Sequence, residues 1–182
     1  MMSKGQLLIH ATNITGWGSR NVVQSLLSAF ARTVDLKQTA VCVSDGSSLD
    51  CGAMEKSGAR VERQRRIMPN AMSRAWECLV AHPAYRGFQR CLVLGDIPLC
   101  GIHRQVVFVH QAHLISPRVS AACGASLKFV VMRWVFRRNL SYVRTVVVQT
   151  GAMRDQMIDS YPELENRVAV IPQPAPNGFH AR

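Results

Sequence analysis

The sequence predicts an α/β fold, a Rossmann-like three-layer sandwich built on a mainly parallel sheet. Short runs rich in β-branched residues alternate with segments that have helical periodicity. These runs are apolar at consecutive positions rather than at alternate ones, which is typical of strands covered on both faces in a parallel sheet. With 182 residues, 48% of them hydrophobic, the chain suits one domain with a substantial core.

Six apolar runs are predicted as strands, and a seventh is predicted over 59–65, where "ARVERQR" is charged at alternate positions. Strands joined by helices in this alternation imply right-handed crossovers between the two faces of the sheet. The six runs are "LLIHAT" (7–12), "TAVCVSD" (39–45), "CLVLGD" (91–96), "VVFVHQ" (106–111), "TVVVQT" (145–150) and "VAVIPQ" (168–173).

Four segments between these runs are predicted as helices: 21–32, 72–82, 127–142 and 151–161. In the first of them, Val22, Leu26, Ala29 and Phe30 form an inward stripe at helical spacing. Three prolines within "PQPAP" near the end of the sequence are incompatible with a helix or a central strand. We therefore predict one domain over 1–174 and a linker remnant or disordered tail over 175–182.

Charge and cysteine content narrow the functional classes. The chain has 22 Lys and Arg against 11 Asp and Glu, a net charge of +11, and no carboxylate lies between Asp96 and Asp155. Such a positive field favours phosphates, nucleic acid or an anionic membrane surface as partners. The six cysteines form no C-x-x-C pair, which predicts reduced, buried thiols in a cytoplasmic protein. No apolar stretch is long enough for a signal peptide or a membrane span.

The segment "LKFVVMRWVFRRNLSYVR" (127–144) has two interpretations. Its mixture of aromatic and basic residues resembles an interfacial helix that contacts an anionic bilayer. Its apolar residues also cover most of the helix circumference, as in a crossover helix whose arginines extend from the rim of the sheet. The crossover helix is the interpretation we favour, and peripheral membrane contact is the functional alternative.

Ligands of open parallel sheets bind beyond the carboxyl ends of the strands, where this sequence places polar and glycine residues. The first such loop, "ATNITGWGSRN", has glycines that let the backbone approach a ligand before a helix whose amides attract anions. Gly16-x-Gly18-x-x-Asn21 lacks the third glycine of the dinucleotide fingerprint, so no nicotinamide or flavin cofactor is expected. A tight turn without a ligand is the alternative.

In the segment "VVFVHQAHLI", His110 lies at the end of the predicted strand and so at the same predicted edge of the sheet. With His113 it forms a pair that lacks a third metal ligand nearby, so a metal site is not expected. The side chain is either a hydrogen-bonded structural residue or a contact for a sugar hydroxyl or a phosphate.

The segment "TVVVQTGAMRDQMIDSYPELENRVAVIPQP" resembles the end of the N-terminal domain in family-4 retaining glycosyltransferases of the GT-B architecture. In that family a strand ending in Gln-Thr or Ser-Thr precedes a helix, a Tyr-Pro turn and Val-x-Val-Ile-Pro-x-Pro. "LLIHATNITGWGSRNVVQSLLSAF" is similar to the first strand, glycine loop and helix of the family, and "VVFVHQAHLI" to its strand ending in histidine. The resemblance covers the chain through Pro176, although 46–90 match only in the order of elements.

The resemblance implies transfer of a sugar from a nucleotide-sugar donor to a glycan or lipid-linked acceptor, without a further cofactor. In this reading His110 faces the transferred sugar, and amides and cations at the cleft stabilise the charge that builds on the leaving diphosphate. Seven residues are carried over as substrate-binding candidates: Gly16, Trp17 and Gly18 in the loop, Arg20 beside it, His110, Thr150 and Arg154.

The family also has a second domain that holds most of the nucleotide-sugar site, and its motifs are not in these 182 residues. We therefore expect a truncated product, an excised domain or one half of a two-chain enzyme, with little transferase activity alone. The alternative is a noncatalytic interaction or anchoring subunit for a separate donor-binding chain. A nucleic-acid-binding module is not expected, because the RNP aromatics, GXXG loop and helix-turn-helix signals are missing.

Overall fold

The computed structural model describes residues 6–14, 17–33, 35–65, 70–80, 85, 87–115 and 127–172. The predicted tail, 175–182, lies outside these ranges. The described residues form one seven-stranded sheet flanked by helices. Its strands are β1 (Leu7–Ala11), β2 (Thr39–Ser44), β3 (Arg60–Gln64), β4 (Arg90–Val93), β5 (Gln105–Phe108), β6 (Val143–Val148) and β7 (Val168–Val170).

The strand order is β3-β2-β1-β4-β5-β6-β7, and every neighbouring pair is parallel. The central strand β1 pairs with β2 on one side and with β4 on the other, so that Leu7 lies between Thr39 and Arg90. This doubly wound, Rossmann-like sandwich confirms the predicted fold class, and the weakly predicted strand over 59–65 is present as β3.

Two layers of helices cover the sheet. The layer of α1 (Trp17–Thr33) and α2 (Gly52–Lys56) packs on one face, with Val23, Leu27 and Met54 fully buried. The opposite layer contains α3 (Asn70–Leu79), α4 (Ala112–Ile115), α5 (Leu127–Arg138) and α6 (Gly151–Ser160), with short 3₁₀ turns at Leu140–Tyr142 and Pro162–Leu164. The two hydrophobic cores lie between the sheet and these layers.

The observed boundaries correct the prediction at several ends. Helix α1 begins at Trp17 rather than at 21, so Gly18 and Arg20 belong to its first turn and not to a loop before it. Strand β5 ends at Phe108, because the backbone N–H groups of His110 and Gln111 donate to a side chain instead of a neighbouring strand. The short helices α2 and α4 were not predicted, since neither is long enough to show a period.

The structure can be compared with two predictions, that the cysteines are reduced and buried and that no segment spans a membrane. Cys42, Cys51, Cys78 and Cys91 are buried free thiols, and Cys100 is a partly exposed one. Burial raises the pKa of the Cys42 thiol to about 12, so this group is an unreactive part of the core. Among the described helices, none has the length and apolar character needed to cross a bilayer.

Candidate functional site

The two halves of the sheet meet at β1 and β4: the chain runs from β1 outward to β3 on one side, returns to β4 beside β1, and then continues outward to β7 on the other side. Asn13 follows β1 and its Nδ2 donates to the carbonyl oxygen of Gly95, 3.4 Å away. A Cβ at Gly95 would lie 3.1 Å from the Cβ of Asn13, so glycine permits this close approach. The loops after β1 and β4 are thus in direct contact at the point where the strand order reverses.

Asp96 organises the neighbouring strand end. Its Oδ1 accepts hydrogen bonds from the backbone N–H groups of His110 (2.6 Å) and Gln111 (3.3 Å). The residue is buried and has a φ of 69°, a left-handed conformation that aspartate tolerates better than most side chains. The carboxylate after β4 therefore fixes the backbone after β5.

Arg74 reaches the same loop from α3. Its Nη2 donates to the carbonyl oxygen of Gly95 and lies 3.9 Å from Asp96 Oδ2. Both side chains of this pair are largely buried. A guanidinium thus neutralises the buried carboxylate and ties the helix layer to the ligand edge of the sheet.

His110 joins the ends of β5 and β6. Its Nδ1 lies 2.7 Å from Nε2 of Gln149, so Nδ1 accepts from the amide and Nε2 carries the proton in a neutral ring. Nε2 is buried and has no hydrogen-bond partner among the described residues. Burial lowers the pKa of His110, and the opposing effect of the Asp96 charge is smaller. The site therefore holds a neutral imidazole whose Nε2–H is unpaired within the described part of the chain.

The assignment of His110 as a buried neutral histidine can be tested through the pH dependence of the free energy of unfolding. Because burial lowers the folded-state pKa, the unfolded chain binds the proton first as the pH falls below 6.5. We expect the free energy of unfolding to decrease from there down to the folded-state pKa, by at most about 1.4 kcal/mol per pH unit for one proton. Urea denaturation across this range should show a smaller decrease in His110→Gln than in the unchanged chain. His103→Gln, at an exposed position, should keep the full decrease, and equal decreases in all three chains would contradict the assignment.

A pocket of about 170 Å³ lies beside His110. Its walls come from α1, from the ends of β4 and β5, and from the residues after β7, and they are almost entirely apolar. His110 is the titratable group among them. Besides this histidine, the residues that line it include Val22, Val23, Leu26, Leu94, Phe108 and Ile171. The pocket suits an apolar group that carries a hydroxyl or carbonyl to meet the imidazole.

The candidates around the first loop lie at the start of α1. Gly16 and the side chain of Trp17 are outside the described part of the chain. Gly18 lies in the first turn, and a Cβ added there would meet no atom within 4 Å, so packing does not require glycine. Arg20 is half-buried in the same turn, which contains no acidic residue. The positive end of a 17-residue helix thus borders the pocket wall formed by its next turn.

Thr150 and Arg154 lie at the start of α6, one strand further along the same edge. Thr150 is the N-cap, and its Oγ1 accepts from the backbone N–H of Met153 at 3.1 Å. Arg154 is 47% exposed and pairs with Asp155 at 2.9 Å. The structure brings His110 together with Gln149 through a hydrogen bond and with α1 around the pocket. Thr150 has a local capping role, and Arg154 pairs with its sequence neighbour.

A buried polar cluster beneath the switch point was not predicted. Its centre is Glu77 of α3, which accepts hydrogen bonds from His10 Nε2 (2.9 Å), Thr12 Oγ1 (2.9 Å) and Tyr85 OH (3.4 Å). His10 lies on β1 and Thr12 directly follows its last residue, so the two side chains, two positions apart, point to the same face of the sheet. Two polar residues spaced by two positions in the apolar run 7–12 are the sequence feature that predicts such a cluster, because buried polar groups require a hydrogen-bond partner.

The donor groups at this edge favour recognition of neutral and anionic ligands. Within the described ranges, no group of three or more His, Cys, Asp or Glu side chains is placed to hold a metal ion. The site offers an imidazole N–H, the amide of Gln149 and the amino end of α1 at one edge of a parallel sheet. These are donors, and donors bind hydroxyl, carbonyl and phosphate oxygens.

Comparison of the chain with models of protein families, with curated proteins and with solved structures finds no match.

Proposed function

We propose that this chain is the N-terminal, acceptor-side domain of a family-4 retaining glycosyltransferase of the GT-B architecture. It takes part in transfer of a sugar from a nucleotide-sugar donor to a hydroxyl group of a glycan or lipid-linked acceptor. The observation that carries the proposal is the buried Nε2–H of His110, which has no partner within the residues that the structure describes and lies in the wall of a pocket at the ligand edge of a doubly wound sheet. Three sequence motifs that resemble the family support it.

His110 is the proposed contact for the reacting sugar. A buried N–H without a partner destabilises the fold by about 1–3 kcal/mol, and a ligand hydroxyl would remove that penalty. The Gln149 amide holds the imidazole in the tautomer that donates from Nε2, and Asp96 fixes its backbone. The histidine is therefore preorganised as a neutral donor.

The start of α1 is the proposed phosphate side of the site. Negative charge builds on the leaving diphosphate as the sugar takes on oxocarbenium character, and helix amides with a nearby cation stabilise that charge. Gly18 and Arg20 lie in this first turn. The apolar pocket between α1 and the sheet suits the lipid part of a lipid-linked acceptor. A second domain supplies the remaining donor contacts in this proposal.

A transfer assay tests the proposal. Labelled nucleotide sugars are incubated with the chain alone and with the products of neighbouring reading frames that encode a donor-binding domain. We expect turnover in the combined sample and little with the chain alone. His110→Ala should lower kcat/KM about 100-fold, the effect of removing one preorganised donor. His103→Ala is the matched control, because His103 is exposed and precedes β5 at the opposite edge of the sheet.

Gly18→Ala separates the ligand role of the glycine from its structural role. The added methyl meets no atom, so the stability of the chain should be unchanged or higher by up to about 1 kcal/mol. Transfer should nevertheless decrease if ligand phosphates approach the backbone there. Undiminished transfer by both Gly18→Ala and His110→Ala, in proteins that fold normally, would contradict the proposed site. Efficient turnover by the chain alone would contradict the need for a second domain.

A further inference from the structure

The outward face of α5 is apolar, as is its inward face. Met132, Val135 and Phe136 are buried against the sheet. The exposed residues are Leu127 (77%), Val130, Val131 and Trp134 (55%), which are spaced by three or four positions and so form one continuous stripe. A helix of this kind is normally covered on both sides or lies in an apolar environment.

Helix α3 extends the same surface. It contacts α5 within one layer, and the buried Asn139 after α5 donates to the carbonyl oxygen of Cys78 in α3 at 2.7 Å. Trp76 of α3 is 63% exposed, and Val80 after its last turn is also exposed. We call the exposed apolar residues of the two helices the α3–α5 face: Trp76, Val80, Leu127, Val130, Val131 and Trp134. Single exposed apolar residues are ordinary, but six on two adjoining helices form a patch of the kind that marks an interaction surface.

The charges on these two helices have one sign outside the core. Helix α5 contains Lys128, Arg133, Arg137 and Arg138 and no carboxylate. The guanidinium of Arg138 is exposed and lies 5.7 Å from the centre of the Trp134 ring. The one carboxylate of α3, Glu77, is bonded inward to His10 and Thr12. The α3–α5 face is therefore apolar with two tryptophans and is bordered by the exposed cation of Arg138, whereas Arg137 is paired with Glu163 at 3.8 Å.

We propose that the α3–α5 face docks on the surface of an anionic lipid bilayer. Tryptophan and arginine are suited to the boundary between acyl chains and headgroups, and each basic residue near an anionic surface adds attraction. A second copy of the chain is a poorer occupant, because it would bring helix α5, which has four basic residues and no carboxylate, against its own copy. The inference does not depend on sugar transfer.

Docking in this manner would orient the molecule. Helix α5 connects β5 to β6, so in a parallel sheet its first residues lie towards the carboxyl ends of the strands. A bilayer along the α3–α5 face would therefore run beside the His110 edge of the sheet.

Vesicle sedimentation with the full chain tests this proposal. We expect binding to vesicles of phosphatidylcholine with phosphatidylglycerol, and much weaker binding to phosphatidylcholine alone. The double variant Trp76→Ser/Trp134→Ser should bind at least about 10-fold more weakly, because both side chains enter the interface. Trp76→Phe/Trp134→Phe should retain most of the binding. Arg138→Gln should weaken binding about 5-fold, the effect of one charge near an anionic surface.

Arg32→Gln is the matched charge control, since Arg32 is exposed on α1 in the opposite layer and should not alter binding. Equal losses from Arg32→Gln and Arg138→Gln would overturn the assignment, because binding would then follow net charge alone. Vesicle binding that is absent, or unchanged in the tryptophan-to-serine variant, would also overturn it. So would a dimer in light scattering that the serine variant converts to a monomer, because a second copy would then occupy the face. Circular dichroism of each variant confirms that the substitutions leave the fold intact.

Discussion

A chain carrying Gln105→Leu is expected to lose about 4 kcal/mol of its free energy of unfolding, measured by urea denaturation. Gln105 is fully buried at the start of β5. Its Oε1 accepts from the backbone N–H of Leu99 at 2.8 Å, and its Nε2 donates to the carbonyl oxygens of Leu99 (2.6 Å) and Ile102 (2.7 Å). Leucine fills the same space but leaves three backbone groups unpaired in a dry interior.

The reason for the large effect is the connection between β4 and β5. These strands are neighbours joined without a long helix, and the connecting loop buries Leu94, Ile97, Leu99 and Ile102. A buried loop has backbone polar groups that water cannot reach, so a side chain must satisfy them. Gln105 serves that purpose for the part of the loop next to β5.

Gln24→Leu is the matched control for this experiment. Gln24 also forms two hydrogen bonds to one loop residue, the N–H and C=O of Asp50, each 2.9 Å long. These bonds are exposed, so water replaces them when the amide is lost, and the expected loss is below about 1 kcal/mol. A similar loss in both variants would contradict the idea that burial, rather than the number of bonds, determines the effect.

The elements that could be predicted from the sequence are those with a strong local signal. Consecutive β-branched residues in 39–45 and 145–150 predicted buried parallel strands because a sheet covered on both faces excludes polar residues from either side. The helix over 151–161 was recognisable from its position between two such runs and is observed as Gly151–Ser160. The predicted start of α1 is four residues late, because two glycines within 16–18 favour a loop over the first turn of a helix.

The part of the candidate site that could not be predicted is formed by contacts between distant residues. Asp96 and His110 stand at the ends of the predicted strands over 91–96 and 106–111, which predicts that both lie at the ligand edge. Nothing local indicates that the Asp96 carboxylate binds the His110 backbone, or that Arg74 reaches it from a helix on the neighbouring layer. Such pairings depend on strand order, which a single sequence does not specify.

Helix α5 shows a second limit of prediction from sequence. Apolar residues around its whole circumference favoured a crossover helix, and the structure confirms that it connects β5 to β6. The periodicity did not distinguish which apolar residues face the sheet, since both faces carry them. Trp134 is exposed and Phe136 is buried, a difference that depends on how the helix is rotated against the sheet and not on its apolar pattern.

Asp96→Ala is expected to lower the free energy of unfolding by about 3 kcal/mol and to disorganise the candidate site. Alanine removes the acceptor for two backbone N–H groups, those of His110 and Gln111, and leaves Arg74 without its carboxylate. It also has to adopt a φ of 69°, which is strained for a side chain that offers no local hydrogen bond. Asp96→Asn keeps an acceptor and tolerates this φ, so its loss should be about 1 kcal/mol.

Asp50→Ala is the control, because Asp50 Oδ1 also accepts a backbone N–H, that of Gly52 at 2.8 Å, but is exposed to water.

Imidazole NMR signals report on the site separately from stability. In Asp96→Ala the contact between His110 Nδ1 and Gln149 should be lost, because the backbone that positions the ring is released. Loss of the Asp96 charge lowers the pKa of His110 and entry of water raises it; since burial is the larger cause of the shift, the pKa should rise towards 6.5. Asp96→Asn should keep the ring neutral to lower pH. If the imidazole titrated identically in all three proteins, Asp96 would be a structural residue of the loop with no influence on the histidine.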